Sequence, residues 1–131
     1  MAGITPTDGD TSGGWARSPR EVEDACAILG GQMQQIAARG ARTVAQLSVG
    51  EHYALGVRAA AQWTTGRGAA PLSDEELPPD VESAVTVLAL AEYLMGSDGT
   101  PGTVVALARG VRAWLRWLVG VQERMEFLAL E

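Results

Sequence analysis

The chain has 131 residues, of which 47% are apolar and 20% are charged. This length is sufficient for one hydrophobic core, and the composition is typical of a globular protein, which excludes an intrinsically disordered chain. The formal net charge of −6 argues against a nucleic-acid-binding protein, because such binding requires a positive surface that neutralises phosphates.

The first fourteen residues are rich in Gly, Thr, Asp and Ser and offer few apolar side chains to a core. We therefore predict a flexible tail over residues 1–14 and a single helical domain over residues 15–131. The start of the chain lacks the basic and apolar regions of a secretory signal, so we expect a cytoplasmic protein. The sequence contains neither lysine nor asparagine, a bias that indicates a GC-rich bacterium or its phage.

The first two predicted helices have clear start signals. Ser18, Pro19 and Glu21 form the pattern of an N-cap, a first-turn proline and a capping-box carboxylate, and the helix should end at Gly40. A second capping box begins at Ser48 and predicts a helix that ends near the segment TTGRG. Both helices carry apolar residues at helical spacing, so each has one face for a core.

Two further helices are predicted in the second half of the chain. One runs from Asp80 to Gly96 and is apolar on nearly all sides, which predicts a helix wrapped by others or by a second subunit. The last begins with Thr100 as N-cap and Pro101 at the first helical position, and its pattern extends for nearly thirty residues. No strand pattern is present, so we predict an all-α bundle of four principal helices.

The last predicted helix carries a stripe of three arginines, Arg109, Arg112 and Arg116. The stripe faces away from the apolar arc that contains the tryptophans, whereas single-stranded nucleic acid needs aromatic and cationic groups on one surface. A membrane surface is also disfavoured, because the protein is acidic. Two interpretations remain: the stripe is a solvated face balanced by acidic residues in the segment 68–108, or it is a docking patch for an acidic protein partner.

The same helix carries more apolar surface than one contact in a small bundle requires. Trp117, Val121 and Leu128 widen the apolar arc, and tryptophan is a frequent anchor of protein interfaces. We therefore predict an interface at these residues and at the arginine stripe, with a homodimer as the simplest arrangement. The alternative is that other helices of the same chain cover the arc.

Four residues could form a small-ligand site. His52 and Glu92 are polar residues on apolar helix faces, and a pocket around them would also contain Trp63 and Tyr93. No catalytic residue is assigned, because neither a nucleophile motif nor a metal-ligand pair is present, and the lone Cys26 is predicted to be a buried apolar residue. We expect neither a metal nor another cofactor.

These features together predict a small cytoplasmic regulatory or interaction protein that acts through protein contacts. We expect a homodimer that can also bind another protein, with neither nucleic acid nor membrane as a partner. The alternative is a helical bundle that binds a small ligand near His52 and Glu92, or an enzyme with that pocket, which the sequence favours less.

Overall fold

The computed structural model describes residues 15–40 and 46–125. Within these residues the fold is all-α, as the sequence predicts, and the helices form a small bundle without strands. The helices are α1 (Pro19–Ala38), α2 (Val49–Thr64), α3 (Val81–Gly96) and α4 (Gly102–Leu118). The predicted tail at residues 1–14 lies outside the described residues, as does Leu128.

Helix starts follow the sequence signals in three of the four cases. Complete capping boxes are present at Ser18 with Glu21 and at Ser48 with Glu51. At the start of α3, the Asp80 side chain accepts a hydrogen bond of 2.8 Å from the backbone N–H of Ser83. These caps satisfy backbone N–H groups that have no partner within the helix.

The start of α4 differs from the prediction. Pro101, not Thr100, is the N-cap residue, and no side chain caps this helix. The helix begins at Gly102, and the N–H groups of Val104 and Val105 donate to the Pro101 carbonyl at 3.0 Å. Proline lacks an N–H and fixes φ near the value of a first turn, so it allows a helix to start without a side-chain cap.

The length predicted for the last helix is wrong, because α4 ends at Leu118. Gly120 has a φ of +90°, its N–H donates to the Trp117 carbonyl, and the N–H of Val121 donates to the Arg116 carbonyl. This pair of hydrogen bonds around a left-handed glycine is a Schellman motif. The apolar periodicity continues past Gly120, and it conceals this stop signal in the sequence.

The closest helix crossing lies between α2 and α4. A Cβ atom added to Gly56 would lie 2.0 Å from the Leu107 carbonyl oxygen, and one added to Gly110 would lie 2.0 Å from that of Tyr53. Both neighbours are backbone atoms that cannot rotate away. The two helices therefore pack backbone against backbone, and the other contacts of the bundle are arranged around this pair: α3 packs on α4, and α1 packs on α2.

Two buried tryptophans satisfy their indole N–H groups inside the core. Trp114 on α4 donates to the Thr64 hydroxyl oxygen at 2.9 Å, and this hydroxyl donates in turn to the Ala60 carbonyl at 2.9 Å. Trp63 donates to the Leu77 carbonyl at 2.9 Å, which holds the long connection between α2 and α3 against the core. Both indoles thus bury a large apolar area without leaving a polar group unpaired.

The segment Trp15–Arg17, here called the N-terminal strap, crosses the C-terminal end of α4. The N–H of Ala16 donates to the Leu118 carbonyl at 2.9 Å, and Arg17 Nε donates to the Trp117 carbonyl at 2.8 Å. Together with the Schellman motif, the strap gives partners to carbonyls that the end of a helix leaves unpaired. The guanidinium of Arg17 also lies 5.3 Å from the centre of the Trp117 ring, a cation–π contact.

The helix crossing leads to a prediction about two glycines. Substitution Gly56→Ala should lower the free energy of unfolding by about 3 kcal/mol, because the added methyl group collides with the backbone of α4. The matched control is Gly31→Ala on α1, where an added Cβ meets no atom within 4 Å. That variant should be more stable by about 0.5–1 kcal/mol, since alanine is the better helix former. Urea unfolding of both variants measures the free energy of unfolding, and equal changes in the two would contradict the close contact between the backbones of α2 and α4.

The strap leads to a second prediction. Substitution Trp15→Ala should lower the free energy of unfolding by about 3–5 kcal/mol, because Trp15 is a buried member of the core. Deletion of residues 1–12, which leaves the strap intact, should change it by less than about 0.5 kcal/mol. Thermal unfolding monitored by circular dichroism compares the stability of the two proteins. A larger loss of stability from the deletion than from Trp15→Ala would contradict the stabilising role of the strap.

Candidate functional site

The four residues of the predicted ligand pocket occupy different environments. His52 is buried on α2, and its Nε2 atom has no hydrogen-bond partner, so this atom makes no hydrogen bond with Glu92. Trp63 is a core residue, whereas Tyr93 is 71% exposed on α3. The Glu92 side chain is 57% exposed and forms ion pairs with the arginine stripe of α4. A pocket shared by all four stays a prediction.

The predicted interface residues differ in how far they are exposed. Trp117 is only 6% exposed, because the rest of the same chain covers it, including the guanidinium of Arg17. Its ring lies 5.2 Å from that of Trp114, centre to centre. Val121 lies beyond the end of α4 and is 64% exposed. Trp117 is therefore buried without a second copy of the chain. The predicted interface rests mainly on an exposed Trp117 in the single chain, and the structure does not show that exposure.

The arginine stripe lines a cleft of about 340 Å³ between α4, α2 and the turn after α4. Its walls are formed by Tyr53, Arg109, Arg112, Ala113, Arg116 and Gln122. The only carboxylate that the described residues bring to the stripe is that of Glu92, at 3.5 Å from Arg112 Nε and 4.0 Å from Arg116 Nη1. The other acidic residues of the segment 68–108 form no ion pair with it in the described part of the chain, so the predicted balancing of charge is present only in part.

A cleft of about 600 Å³ lies between the start of α1 and the end of α2. The residues that line it are Trp15, Arg17, Pro19, Val22, Glu23, Cys26, Thr64, Thr65, Gly66, Arg67 and Pro79. A smaller cleft of about 270 Å³ on the other side of Cys26 reaches along α1 to Met33. Neither cleft, nor the arginine cleft, has His52, Trp63, Glu92 or Tyr93 in its wall.

Cys26 is half-buried between these two clefts, so it is less enclosed than the sequence predicted. Burial raises the pKa of its thiol, because the thiolate loses solvation, and the positive charge of Arg67 opposes part of that rise. The thiol is therefore not activated as a nucleophile. Across the described residues, no group of three or more His, Cys, Asp or Glu side chains is placed to hold a metal ion.

The outer face of α3 exposes two large apolar side chains, Val85 and Tyr93. Seven exposed residues form it, and we call this set the α3 outer face: Glu82, Val85, Thr86, Ala89, Glu92, Tyr93 and Gly96. Val85 is 58% exposed and Tyr93 is 71% exposed. The sequence predicts that α3 is wrapped by other helices or by a second subunit. The other helices of the chain leave this face uncovered, and α4 is the principal neighbour of α3.

Comparisons with known proteins place no constraint on function. No protein-family model matches the chain, and neither a curated protein nor a solved structure is significantly similar to it. In addition, no helix in the described ranges is long and apolar enough to cross a membrane.

The position of Cys26 leads to a third prediction. Alkylation by iodoacetamide at pH 7.5 should be slower in the folded protein than in the urea-unfolded chain, because a raised pKa leaves less thiolate. The rate should increase as the pH is raised. Substitution Arg67→Gln should slow alkylation further, since it removes the charge that lowers the pKa. Mass spectrometry at timed intervals measures the rates, and faster alkylation of the Arg67→Gln variant would contradict the assignment of Arg67.

Proposed function

We propose that the protein is a helical interaction module that forms a homodimer through the α3 outer face. The observation that carries the proposal is the exposure of Val85 and Tyr93 on a helix whose principal contact is with α4 alone. By comparison, α1 exposes one large apolar side chain, Ile28 at 53%, among Arg20, Glu21 and several other charged or amide side chains. Exposed apolar surface with a polar rim is a common mark of protein interaction sites.

The pattern of the α3 outer face favours a second copy as its partner. Val85, Ala89 and Tyr93 are spaced four residues apart, so they form one ridge with the small Ala89 at its centre. A two-fold axis at Ala89 would place Val85 of one copy opposite Tyr93 of the other, a large residue against a smaller one. Glu82 would then lie opposite Gly96 of the second copy and Glu92 opposite Thr86, so that no carboxylate of the face would oppose another.

The size of the face sets the expected strength of the dimer. A helix of 16 residues is about 24 Å long, and one helix face buries less than the roughly 800 Å² per partner of a standard stable interface. We therefore expect a weak, reversible dimer that forms in the micromolar range. Such an interface suits a regulatory protein whose association depends on its concentration, which is the functional class that the sequence favours.

Our fourth prediction tests this dimer by sedimentation equilibrium over a hundredfold range of concentration. The wild-type protein should show reversible association, and substitution Ala89→Glu should abolish it by placing two carboxylates at the two-fold axis. The matched control is Ala27→Glu, which introduces the same charge at an exposed position on α1 and should associate like the wild type. Both substitutions are on exposed helix surfaces, so each should change the free energy of unfolding by less than about 0.5 kcal/mol.

A further variant separates this surface from the one that the sequence predicted. Substitution Trp117→Ala should lower the free energy of unfolding by about 3–5 kcal/mol and leave the association constant unchanged, because Trp117 is a core residue of one chain. Loss of association in Trp117→Ala but not in Ala89→Glu would move the interface to α4. A wild-type protein that stays monomeric at the highest concentration would overturn the proposal.

Small-ligand binding is a second candidate function, and the cleft of about 600 Å³ beside Cys26 is the observation that favours it. The volume lies in the range of small-molecule sites, and the walls combine apolar side chains with Arg17, Glu23 and Arg67. This location differs from the pocket predicted around His52 and Glu92. A ligand that fills the cleft would shield Cys26, so protection from alkylation by members of a fragment library would identify it.

A further inference from the structure

The arginine cleft contains more positive charge than the described residues balance with carboxylates. Three guanidinium groups line it, and the described residues bring one carboxylate to them, which leaves an excess of two positive charges. This excess stands out in a chain whose net charge is −6. Arg109, Arg112 and Arg116 lie at positions i, i+3 and i+7 of α4, so all three project from one side of the helix.

The existing contacts of the cleft leave hydrogen-bond donors unused. Arg112 Nε is buried and has no hydrogen-bond partner, and its distance of 3.5 Å from Glu92 Oε2 exceeds the 2.7–2.9 Å that is typical of a charge-assisted hydrogen bond. Among the described residues, Arg112 Nη1 donates to the Met95 sulfur in a weak contact of 3.9 Å. Arg109 is exposed and forms no ion pair with another described residue.

We propose that this cleft binds the phosphate group of a small phosphomonoester. A phosphomonoester carries a charge of about −1.5 to −2 at neutral pH, which matches the excess of two positive charges. Its three terminal oxygens accept hydrogen bonds from several guanidinium groups at once, whereas a carboxylate accepts in one plane. The volume of about 340 Å³ is at the lower end of the range for small-ligand sites, which favours a compact molecule over a polymer.

The cleft is composed of residues from three parts of the fold. Tyr53 belongs to α2, the arginines belong to α4, and Gln122 belongs to the turn that follows the Schellman motif. The glycine crossing of α2 and α4 brings Tyr53 beside the arginine face. Gly110, which lies between Arg109 and Arg112 in the sequence, packs against the Tyr53 carbonyl. Glu92 reaches the stripe from α3 and would compete with the phosphate group for Arg112 and Arg116.

Our fifth prediction uses phenyl phosphate as the probe, titrated at constant ionic strength with sodium chloride. NMR cross-peaks of the arginine Nε–H groups should shift saturably, with one probe bound per chain. Substitutions Arg109→Gln and Arg112→Gln should each weaken binding by about tenfold, because each removes charge-assisted hydrogen bonds. Substitution Glu92→Gln should strengthen binding several-fold, because the competing carboxylate is lost.

Two comparisons make the test specific to this cleft and to this class of ligand. The matched control Arg20→Gln removes one exposed positive charge from α1 and should bind phenyl phosphate like the wild type. Dimethyl phosphate, a singly charged diester, and succinate, a dicarboxylate, should both bind more weakly than phenyl phosphate. Arg109 is exposed, so its variant separates a loss of binding from a loss of folding.

Three results would overturn the proposal. The first is the absence of saturable shifts with phenyl phosphate, and the second is an equal loss of affinity in Arg20→Gln and Arg109→Gln. The third is a preference for succinate, which would assign the cleft to acidic side chains of a protein partner. The decisive variants are Arg109→Gln on α4 for the cleft and Ala89→Glu on α3 for the dimer, so phosphate binding can fail while dimerisation holds, or the reverse.

Discussion

The contact of α2 with α4 at Gly56 and Gly110 is the constraint on which the other features of the structure depend. Each glycine lies against a carbonyl oxygen of the opposite helix, so the two backbones approach more closely than side chains would allow. This approach places Thr64 at the end of α2 within hydrogen-bond distance of the Trp114 indole on α4. It also sets Tyr53 beside the arginine stripe, so that the crossing shapes both the core and the arginine cleft.

The polar groups of the interior are satisfied mainly at the ends of helices. Glu51 is 1% exposed, yet its carboxylate accepts from the Ser48 N–H at 2.9 Å and from Arg39 Nη1 at 3.3 Å. This position at the start of α2 lets the helix dipole stabilise the buried charge, and the contact with Arg39 ties the end of α1 to α2. At the opposite end of the bundle, the N-terminal strap performs a comparable function for α4, whose final carbonyls accept from Ala16 and Arg17.

The surface divides into regions of different chemistry, and this division is the basis of the functional proposals. The α3 outer face exposes Val85 and Tyr93 because α3 carries apolar residues on nearly all sides, while its principal contact within the bundle is with α4. The arginine cleft collects three of the chain's ten basic residues within one small volume. Glu92 belongs to both regions, since it lies on the α3 outer face and pairs with Arg112 and Arg116. A ligand that displaces Glu92 from the arginines would therefore change the charge at the edge of the proposed dimer surface.

Local signals in the sequence determined the helical class and most helix boundaries. Capping boxes and a first-turn proline act within a few residues, so Ser18 and Ser48 are readable without knowledge of the fold. The end of α4 was not readable, because the apolar pattern continues beyond Gly120, and only the tertiary structure places the N-terminal strap there. Periodicity likewise identified the apolar residues but not what covers them. Trp117 is covered by its own chain, whereas Val85 and Tyr93 remain exposed, because burial depends on which helices become neighbours and not on the helix itself.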